Sequence, residues 1–421
     1  HNIVEGALDM VNPVVAKSYR DYRNYKQDFV HMLDEVYQKS QAIMYIGDKE
    51  NSNSDSALVS TKRSLIFNQL NKELYQKFFM TVEELQACRE GYIYVHDMSA
   101  RRDTMNCCLF DVQTVLTGGF EMGNLWYNEP KTLDVAFDVI GDIVLSAASQ
   151  QYGGFTVPEV DKILAPYAEK SYKMQYDKYK ELGLSDERAE EEAMKDVQLD
   201  FKQGFQGWEY KFNTVASSRG DYPFITVTAG LGTSRFEKMA TITMLNVRRG
   251  GQGKKWCKKP VLFPKIVFLY DEDLHGEGGV LEDVFEAGVE CSRKTMYPDW
   301  LSLTGDGYVA GIYKKYKKVI SPMGCRAFLS PWYERGGIKP ADDKDEPIFV
   351  GRFNIGAVSL HLPMIYAKAQ KESKDFYEVL DYYLQLIRNL HLRTYDYLGE
   401  MRASTNPLAY CEGGFYGGHL G

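Results

Sequence analysis

The sequence SPMGCRAFL, at residues 321–329, decides how this chain is interpreted. It places Cys325 between a glycine and an arginine, with apolar residues on both sides. Glycine lets the backbone approach a neighbouring group closely, and the nearby Met323 is a flexible apolar neighbour for a sulfur atom. The pattern predicts that Cys325 lies on a tight loop tip inside a core, in a dry setting.

The residues alone leave two interpretations of Cys325 open. Free cysteines are among the most buried residue types, so a lone core cysteine is more often structural than catalytic. If the cysteine is catalytic, one-electron chemistry suits it better than nucleophilic attack, because a buried, dry thiol is a poor thiolate.

Composition limits the function classes. The 421 residues can bury a large core, and their net charge of −8 argues against a general nucleic-acid or anionic-membrane surface. No apolar run reaches the length of a membrane span, and no secretory signal opens the chain. The seven cysteines are scattered without zinc-type spacing. We therefore expect a reducing, cytoplasmic location, no disulfide framework and no metal site within the chain.

Apolar periodicity predicts helices at both ends of the chain and an α/β region between them. A polar segment at residues 48–55 is the predicted linker, so we expect an N-terminal helical segment over 1–55 and a catalytic domain over 56–421. The predicted helices are 14–46, 64–79, 81–90, 133–151, 158–200, 235–247, 281–295 and 363–398, and the predicted strands are 92–97, 224–228, 262–270 and 349–360. Thr81 and Glu84 predict a capping box at the start of the helix at 81–90. The helix at 133–151 carries few charges, which indicates either a core helix or a subunit interface.

Two polar features of the sequence can each be interpreted in two ways. The turn TAGLGTS, at residues 228–234, could hold an anion with its free N–H groups or simply close a βα unit. A basic cluster could meet a small phosphorylated ligand or form a solvated loop; it comprises Arg248, Arg249, Lys254, Lys255, Lys258 and Lys259.

Five blocks at these separations resemble the anaerobic (class III) ribonucleoside-triphosphate reductases, a family of glycyl-radical enzymes. They are MNCCLFD (105–111), TAGLGTS (228–234), KTMYPDW (294–300), MGCRAFLSPW (323–332) and GRFNIGAVSLHLP (351–363). The resemblance runs from about Lys62 to the last residue. It implies a ten-stranded α/β barrel around a central cysteine finger loop, with peripheral helices.

The resemblance also implies roles for individual residues. Cys325 would become a thiyl radical that removes a hydrogen atom from the ribose 3′ carbon. Cys107 would face it across the substrate and help reduce the 2′ position, while Cys108 points the other way because neighbours on an extended segment alternate. Asn354 would bond a substrate hydroxyl or formate, although its residue type alone favours a strand-turn cap. Met323 and Asn106 would line the substrate pocket.

Further expectations come from the family as a whole. It implies formate as reductant, a homodimer, and nucleotide effectors (ATP and deoxynucleotides) bound near the helix at 133–151, with Lys131 and Gln151 as effector ligands. A glycyl radical and a structural zinc site are expected beyond Gly421, together with a separate radical-SAM activating enzyme. No nucleic-acid or membrane partner is expected.

Two other functions remain alternatives. One is a different glycyl-radical enzyme, of the formate-lyase or dehydratase type, and the other is a catalytically silent nucleotide-binding paralogue. The pairing of Cys107 with Cys325 favours the reductase, because the lyase and dehydratase types need no reducing thiol across the substrate. Asn354 beside the two cysteines argues against the silent paralogue.

Overall fold

A computed structural model describes residues 2–46, 58–217 and 220–416. They fall into two compact units. The first takes the described residues up to Arg102 together with Val358–Ile387, and the second takes Asp103–Ala357 together with the described residues from Arg388 onward. The predicted linker at 48–55 lies outside the described residues, and the predicted division at residue 55 stays a prediction.

Helices and strands are numbered in chain order. The helices are α1 (Asn2–Val11), α2 (Pro13–Ile46), α3 (Val59–Phe78), α4 (Val82–Arg89), α5 (Val112–Leu116), α6 (Leu133–Ala148), α7 (Val160–Glu181), α8 (Asp186–Thr214), α9 (Arg235–Gly250), α10 (Glu272–His275), α11 (Glu282–Thr295), α12 (Tyr308–Tyr316), α13 (Leu362–Glu372), α14 (Phe376–Gly399) and α15 (Pro407–Tyr410), with a 3₁₀ turn at Ala403–Thr405. The strands are β1 (Ile93–Val95), β2 (Cys108–Leu109), β3 (Phe120–Met122), β4 (Leu125–Tyr127), β5 (Phe155–Val157), β6 (Ile225–Ala229), β7 (Gln252–Lys254), β8 (Cys257–Lys259), β9 (Lys265–Tyr270), β10 (Asp299–Ser302), β11 (Arg352–Phe353) and β12 (Val358–Leu360).

The first unit is mainly helical, and it confirms the helices predicted at 14–46, 64–79 and 81–90. The helix predicted at 14–46 is α2, and α4 begins with the predicted capping box. The Thr81 hydroxyl accepts from the Glu84 N–H at 3.3 Å, and the Glu84 carboxylate accepts from the Thr81 N–H at 2.9 Å. These two bonds satisfy N–H groups that a helix start otherwise leaves unpaired.

The helix predicted over 363–398 is interrupted. It consists of α13 and α14, separated at Ser373, which has a left-handed φ of 51°. Asp375 then begins α14, because its carboxylate accepts from the N–H groups of Tyr377 and Glu378 at 2.8 and 3.2 Å. An aspartate at this position is a recognisable helix start, but the segment lacks the Gly or Pro that usually marks a break.

The second unit is built on a mixed sheet. Among the described residues this sheet has six strands in the order β10-β9-β6-β5-β2-β11. The first five run parallel, and β11 pairs antiparallel with β2. The strand predicted at 349–360 is therefore two strands, since β11 joins this sheet whereas β12 pairs with β1 in the first unit. The α/β class is confirmed, and a ten-stranded barrel stays a prediction.

The apolar helix α6 lies in the core of the second unit. It ends at Ala148, before the predicted residue 151, and Ile140 and Val144 are fully buried. Helix α8 covers it: a Cβ at Gly204 would lie 2.2 Å from the Phe137 ring, and the Trp208 indole donates to the Phe137 carbonyl at 2.8 Å. Of the two interpretations of this helix, the core helix is correct for its apolar face. Neither α6 nor any other helix in the described part of the chain is both long and apolar enough to cross a membrane.

Candidate active site

Residues 321–329, called the cysteine loop below, form a tight turn around Cys325. The Met323 N–H donates to the Ala327 carbonyl at 2.9 Å, and the Arg326 N–H donates to the Met323 carbonyl at 2.7 Å. Arg326 adopts a left-handed φ of 64°, which a turn this tight requires of one residue. The predicted loop tip is confirmed.

Cys107 lies directly opposite this tip. Its sulfur is 3.8 Å from the Cys325 sulfur, which is van der Waals contact between two free thiols. The Gly154 N–H donates to the Cys107 sulfur at 3.1 Å and holds it from behind. Two cysteines that are 218 residues apart in the chain are thus brought together, as the resemblance implied.

Cys108 points the other way, into the core. Its sulfur donates to the Gln151 side-chain oxygen at 3.0 Å, and the Gln151 amide donates to the carbonyls of Gly153 and Gly154 at 3.2 and 2.8 Å. Gln151 is only 3% exposed, so its side chain braces the cysteine segment from inside. The effector role predicted for Gln151 is not supported, whereas Lys131 is exposed and its effector role stays a prediction.

Gly153 and Gly154 form the surface against which both cysteine segments pack. A Cβ at Gly154 would lie 2.6 Å from the Gly324 Cα, and a Cβ at Gly153 would lie 2.6 Å from the Cys107 sulfur. Real Cβ atoms do not approach other atoms this closely, so both positions require glycine. Sequence reasoning missed this role, although a Gly-Gly pair directly before the buried strand β5 is a signal of close backbone approach.

Asn354 joins the two sides of the site. Its side-chain oxygen accepts from the Cys107 N–H at 3.4 Å, and its amide donates to the Met323 sulfur at 3.1 Å. Backbone bonds of 2.9 and 3.0 Å link Asn354 to Cys107 and Asn106. Met323 is fully buried and Asn106 is 9% exposed. The five residues predicted for catalysis and the substrate pocket therefore meet at one place.

The environment of Cys325 differs from the prediction. The sulfur was expected to be buried and dry, but Cys325 is exposed, because the turn directs Met323 inward and Cys325 outward. Hydrogen bonding to Cys325 and burial raise the pKa of the Cys107 thiol, while the bond received from Cys107 lowers the pKa of Cys325 to about 6. Of the two sulfurs, Cys325 is thus the one that loses its proton first.

A cavity of about 650 Å³ lies beside Asn354. Polar and aromatic side chains line it, among them Gln150, Asn354, Tyr395, Asn406 and Tyr410. Its size is within the range of cavities that take small-molecule ligands. Within residues 2–46, 58–217 and 220–416 there is no group of three or more His, Cys, Asp or Glu side chains that could hold a metal ion.

A family model described as anaerobic ribonucleoside-triphosphate reductase matches residues 50–418. The protein of that name from Salmonella typhimurium is 34% identical over 367 residues, which are 86% of this chain and 49% of the relative. The one from Haemophilus influenzae is 31% identical over 408 residues, 95% of this chain and 55% of the relative. The one from Enterobacteria phage T4 is 32% identical over 377 residues, which are 87% of this chain and 59% of the relative. The chain thus spans about half the length of the curated relatives it matches.

Solved structures show the same fold. The anaerobic ribonucleotide reductase from Thermotoga maritima with MES in the active site has a TM-score of 0.61 at 13% identity, covering 94% of this chain and 64% of that chain. The same enzyme in complex with dATP and CTP has a TM-score of 0.55 at 12% identity, covering 92% of this chain and 64% of that chain. Together with the family match over residues 50–418, this means that the chain belongs to the anaerobic ribonucleoside-triphosphate reductase family.

Proposed function

We propose that the complete protein reduces ribonucleoside triphosphates to 2′-deoxyribonucleoside triphosphates by radical chemistry. The observation that carries this proposal is the contact between the Cys107 and Cys325 sulfurs, 3.8 Å apart, beside Asn354. The substrate class follows from the family to which the chain belongs.

The two sulfurs have different tasks in this reaction. Cys325, as a thiyl radical, removes the hydrogen atom from the ribose 3′ carbon and later returns it, which is reversible because S–H and activated C–H bonds have similar strengths. After the 2′ hydroxyl leaves as water, Cys107 supplies a hydrogen atom to the 2′ carbon and the 3′ carbon becomes a ketone. The hydrogen atom of formate then restores the Cys107 thiol, and the electron left on the formate carbon reduces the ketone with one proton before Cys325 returns its hydrogen atom. With formate as the reductant, the balance is ribonucleotide plus formate plus one proton giving deoxyribonucleotide, carbon dioxide and water.

Substrate binding between the sulfurs requires them to separate. A distance of 3.8 Å is one sulfur–sulfur contact, so no room remains for a ribose that touches both. Separation also ends the hydrogen bond from Cys107 that lowers the pKa of Cys325. The Cys325 thiol then regains its proton more readily, and the thiol is the form that hydrogen-atom transfer requires.

Asn354 is suited to orient a neutral group in this site. An amide offers both a donor and an acceptor and does not titrate. Because Asn354 also lines the 650 Å³ cavity, we propose that it directs a ribose hydroxyl or formate toward the sulfurs. Met323, which accepts a hydrogen bond from Asn354, keeps the buried side of the site apolar.

The remaining parts of the proposal rest on the family alone. They are a radical stored on a glycine outside these 421 residues, a structural zinc site there, a radical-SAM activating enzyme, and a homodimer that binds ATP and deoxynucleotide effectors. The apolar residues of α6 do not support the dimer, because Ile140 and Val144 are buried within their own unit. A cytoplasmic location also stays a prediction.

The test uses the full-length protein, activated without oxygen and supplied with ¹⁴C-formate and a ribonucleoside triphosphate. We expect labelled carbon dioxide and deoxynucleotide in equal amounts. Turnover with a thioredoxin-like protein in place of formate would mean that the proposed reductant is wrong and that the proposed function stands. If no deoxynucleotide forms with either reductant while another radical substrate is consumed, the reductase function is wrong.

A further inference from the structure

The central strand β6 carries two buried hydroxyls on one face. Thr226 and Thr228 are fully buried, and residues two apart on a strand point to the same side. The Thr228 hydroxyl is 3.2 Å from the Ser321 hydroxyl, at the start of the cysteine loop. The Thr226 hydroxyl accepts from the Arg326 guanidinium at 3.3 Å, immediately after Cys325. One strand thus contacts the loop on both sides of its reactive sulfur.

The contact between Thr228 and Ser321 is part of a buried hydrogen-bond network. The Thr228 hydroxyl also accepts from the Glu159 N–H at 2.8 Å. Between the two hydroxyls either one can be the donor, since each has one donor and two acceptor sites. Ser321 is 1% exposed, so water cannot readily replace this bond.

Arg326 extends the attachment across the sheet. Its Nε donates to the Asp299 carboxylate at 2.7 Å on β10, while Nη1 reaches Thr226 on β6. The intervening strand β9 places Lys265 beside Thr226 in register. The arginine next to Cys325 thus links two strands of the parallel sheet.

We propose that Thr226 and Thr228 are positioning residues that act through Arg326 and Ser321 to fix Cys325 against Cys107. Neither threonine contacts the sulfur itself. The proposal rests on the proposed function for its kinetic consequence, but the placement of Cys325 can be measured independently of nucleotide reduction.

The neighbouring strand offers a matched control. Thr156 on β5 is the register partner of Thr226 and is equally buried. Its hydroxyl has no hydrogen-bond partner among the described residues. Replacing Thr156 with valine therefore removes the same atom at the same depth on the same sheet, without removing a contact to the cysteine loop.

The experiment compares Thr226→Val, Thr228→Val, Thr228→Ser and Thr156→Val in the full-length protein. The first readout is the pH midpoint for alkylation of Cys325 by iodoacetamide, followed on the Cys325 peptide by mass spectrometry. The hydrogen bond from Cys107 lowers the pKa of Cys325, so a displaced sulfur titrates higher. None of these variants changes a charge, and every charged and titratable group around the loop (Cys107, Arg326, Asp299 and Lys265) is retained.

We expect each loop-contact valine variant to raise the midpoint by roughly half a pH unit or more. The second readout is steady-state kinetics, where kcat should fall about tenfold to hundredfold with little change in KM, as for a misplaced reacting group. Thr228→Ser keeps the hydroxyl and should retain the wild-type midpoint and kcat, as should Thr156→Val.

Two outcomes would overturn the proposal. One is a wild-type midpoint and kcat in folded Thr226→Val and Thr228→Val proteins. The other is an equal shift in Thr156→Val, which would indicate a general effect of core packing. If the wild-type protein reduces no nucleotide, the proposed function fails, but the alkylation midpoints still decide whether the threonines place Cys325.

Discussion

The two sides of the cysteine site are held in different ways. On the sheet side, backbone bonds fix the segment around Cys107: the Cys108 N–H donates to Gly154 at 3.0 Å, and the Gly153 N–H donates to Asn106 at 2.9 Å. On the loop side, the backbone bonds shown for the tip join Met323, Arg326 and Ala327 to one another, and side chains attach the loop to the sheet.

This difference indicates which sulfur moves. The sheet side is buried, and its segments pair through main-chain hydrogen bonds. Breaking these bonds would leave buried polar groups unpaired, which is strongly unfavourable. The tip carrying Cys325 is exposed, and a few side-chain bonds can rearrange at lower cost. When substrate binding separates the two sulfurs, we expect the cysteine loop to move and Cys107 to stay in place.

The largest expected effect removes the reactive atom of the loop side. Cys325→Ser should abolish nucleotide reduction, because an O–H bond is too strong to cycle as a radical, while folding and nucleotide binding remain. The measurement is deoxynucleotide formation alongside a thermal melt. Cys257→Ser is the control, since Cys257 is an exposed cysteine on β8. Appreciable turnover by Cys325→Ser would remove Cys325 from the mechanism.

The next test compares two adjacent residues of the sheet side. Cys107→Ser should reduce product formation to near background, because Cys107 faces Cys325, whereas Cys108→Ser should keep most of the activity. Cys108 contacts Gln151 in the core at 3.0 Å, so its replacement acts mainly on stability. Both variants are assayed with formate for deoxynucleotide yield. Equal loss of activity in both would show that the alternation along this segment does not separate their roles.

A third change disturbs the place where the two sides meet. Gly154→Ala would put a Cβ 2.6 Å from the Gly324 Cα, so the backbone must shift. We expect a loss of about 1–3 kcal/mol in the free energy of unfolding and a marked fall in turnover. Gly207→Ala in α8 is the control, because a Cβ there meets nothing within 4 Å and alanine favours helix by about 1 kcal/mol. Equal stability of the two variants would contradict the close packing.

The smallest effect on turnover is expected at a second segment held by a side chain, the turn at residues 228–234. The buried Asp161 carboxylate accepts from the N–H groups of Gly230 and Gly232 at 3.1 and 3.3 Å. Burial raises the pKa of Asp161 from 3.8 to about 6, so the folded protein binds this proton more tightly than the unfolded chain does. The contribution of Asp161 to stability therefore falls as pH rises from about 4 to 6, by about 3 kcal/mol, and is constant above that.

Urea unfolding of wild-type protein and Asp161→Asn across this pH range measures the effect. The variant has no proton to lose at residue 161. The free energy of unfolding of Asp161→Asn minus that of wild type should therefore increase as the pH rises toward 6 and then level off. A stability difference that does not change with pH would mean that Asp161 titrates normally in the folded protein.

Local patterns were sufficient to predict several parts of the structure. The capping box of α4, the long helix α2 and the strand β6 depend on residues close together in the chain. The resemblance added the meeting of Cys107 with Cys325, which no local pattern could provide. The break at Ser373 was missed because nothing there but Asp375 marks a helix start.

The remaining features depend on contacts between distant residues. The pairing of Arg326 with Asp299 and the attachment of Ser321 to Thr228 join segments 27 and 93 residues apart. The exposure of Cys325 follows from which way one turn faces, and apolar neighbours in the sequence do not determine this direction. The resemblance implied an effector role for Gln151, yet the Gln151 side chain turns inward to Cys108.

The contact between the Cys107 and Cys325 sulfurs also makes the resting protein vulnerable to peroxide. An exposed thiol with a lowered pKa is the first target on the cysteine oxidation ladder. A hydroperoxide would convert the Cys325 thiolate to a sulfenic acid, and the Cys107 thiol, 3.8 Å away, could then displace water to form a disulfide. Both sulfurs would be lost to hydrogen transfer in that form, and a dithiol reductant would restore them.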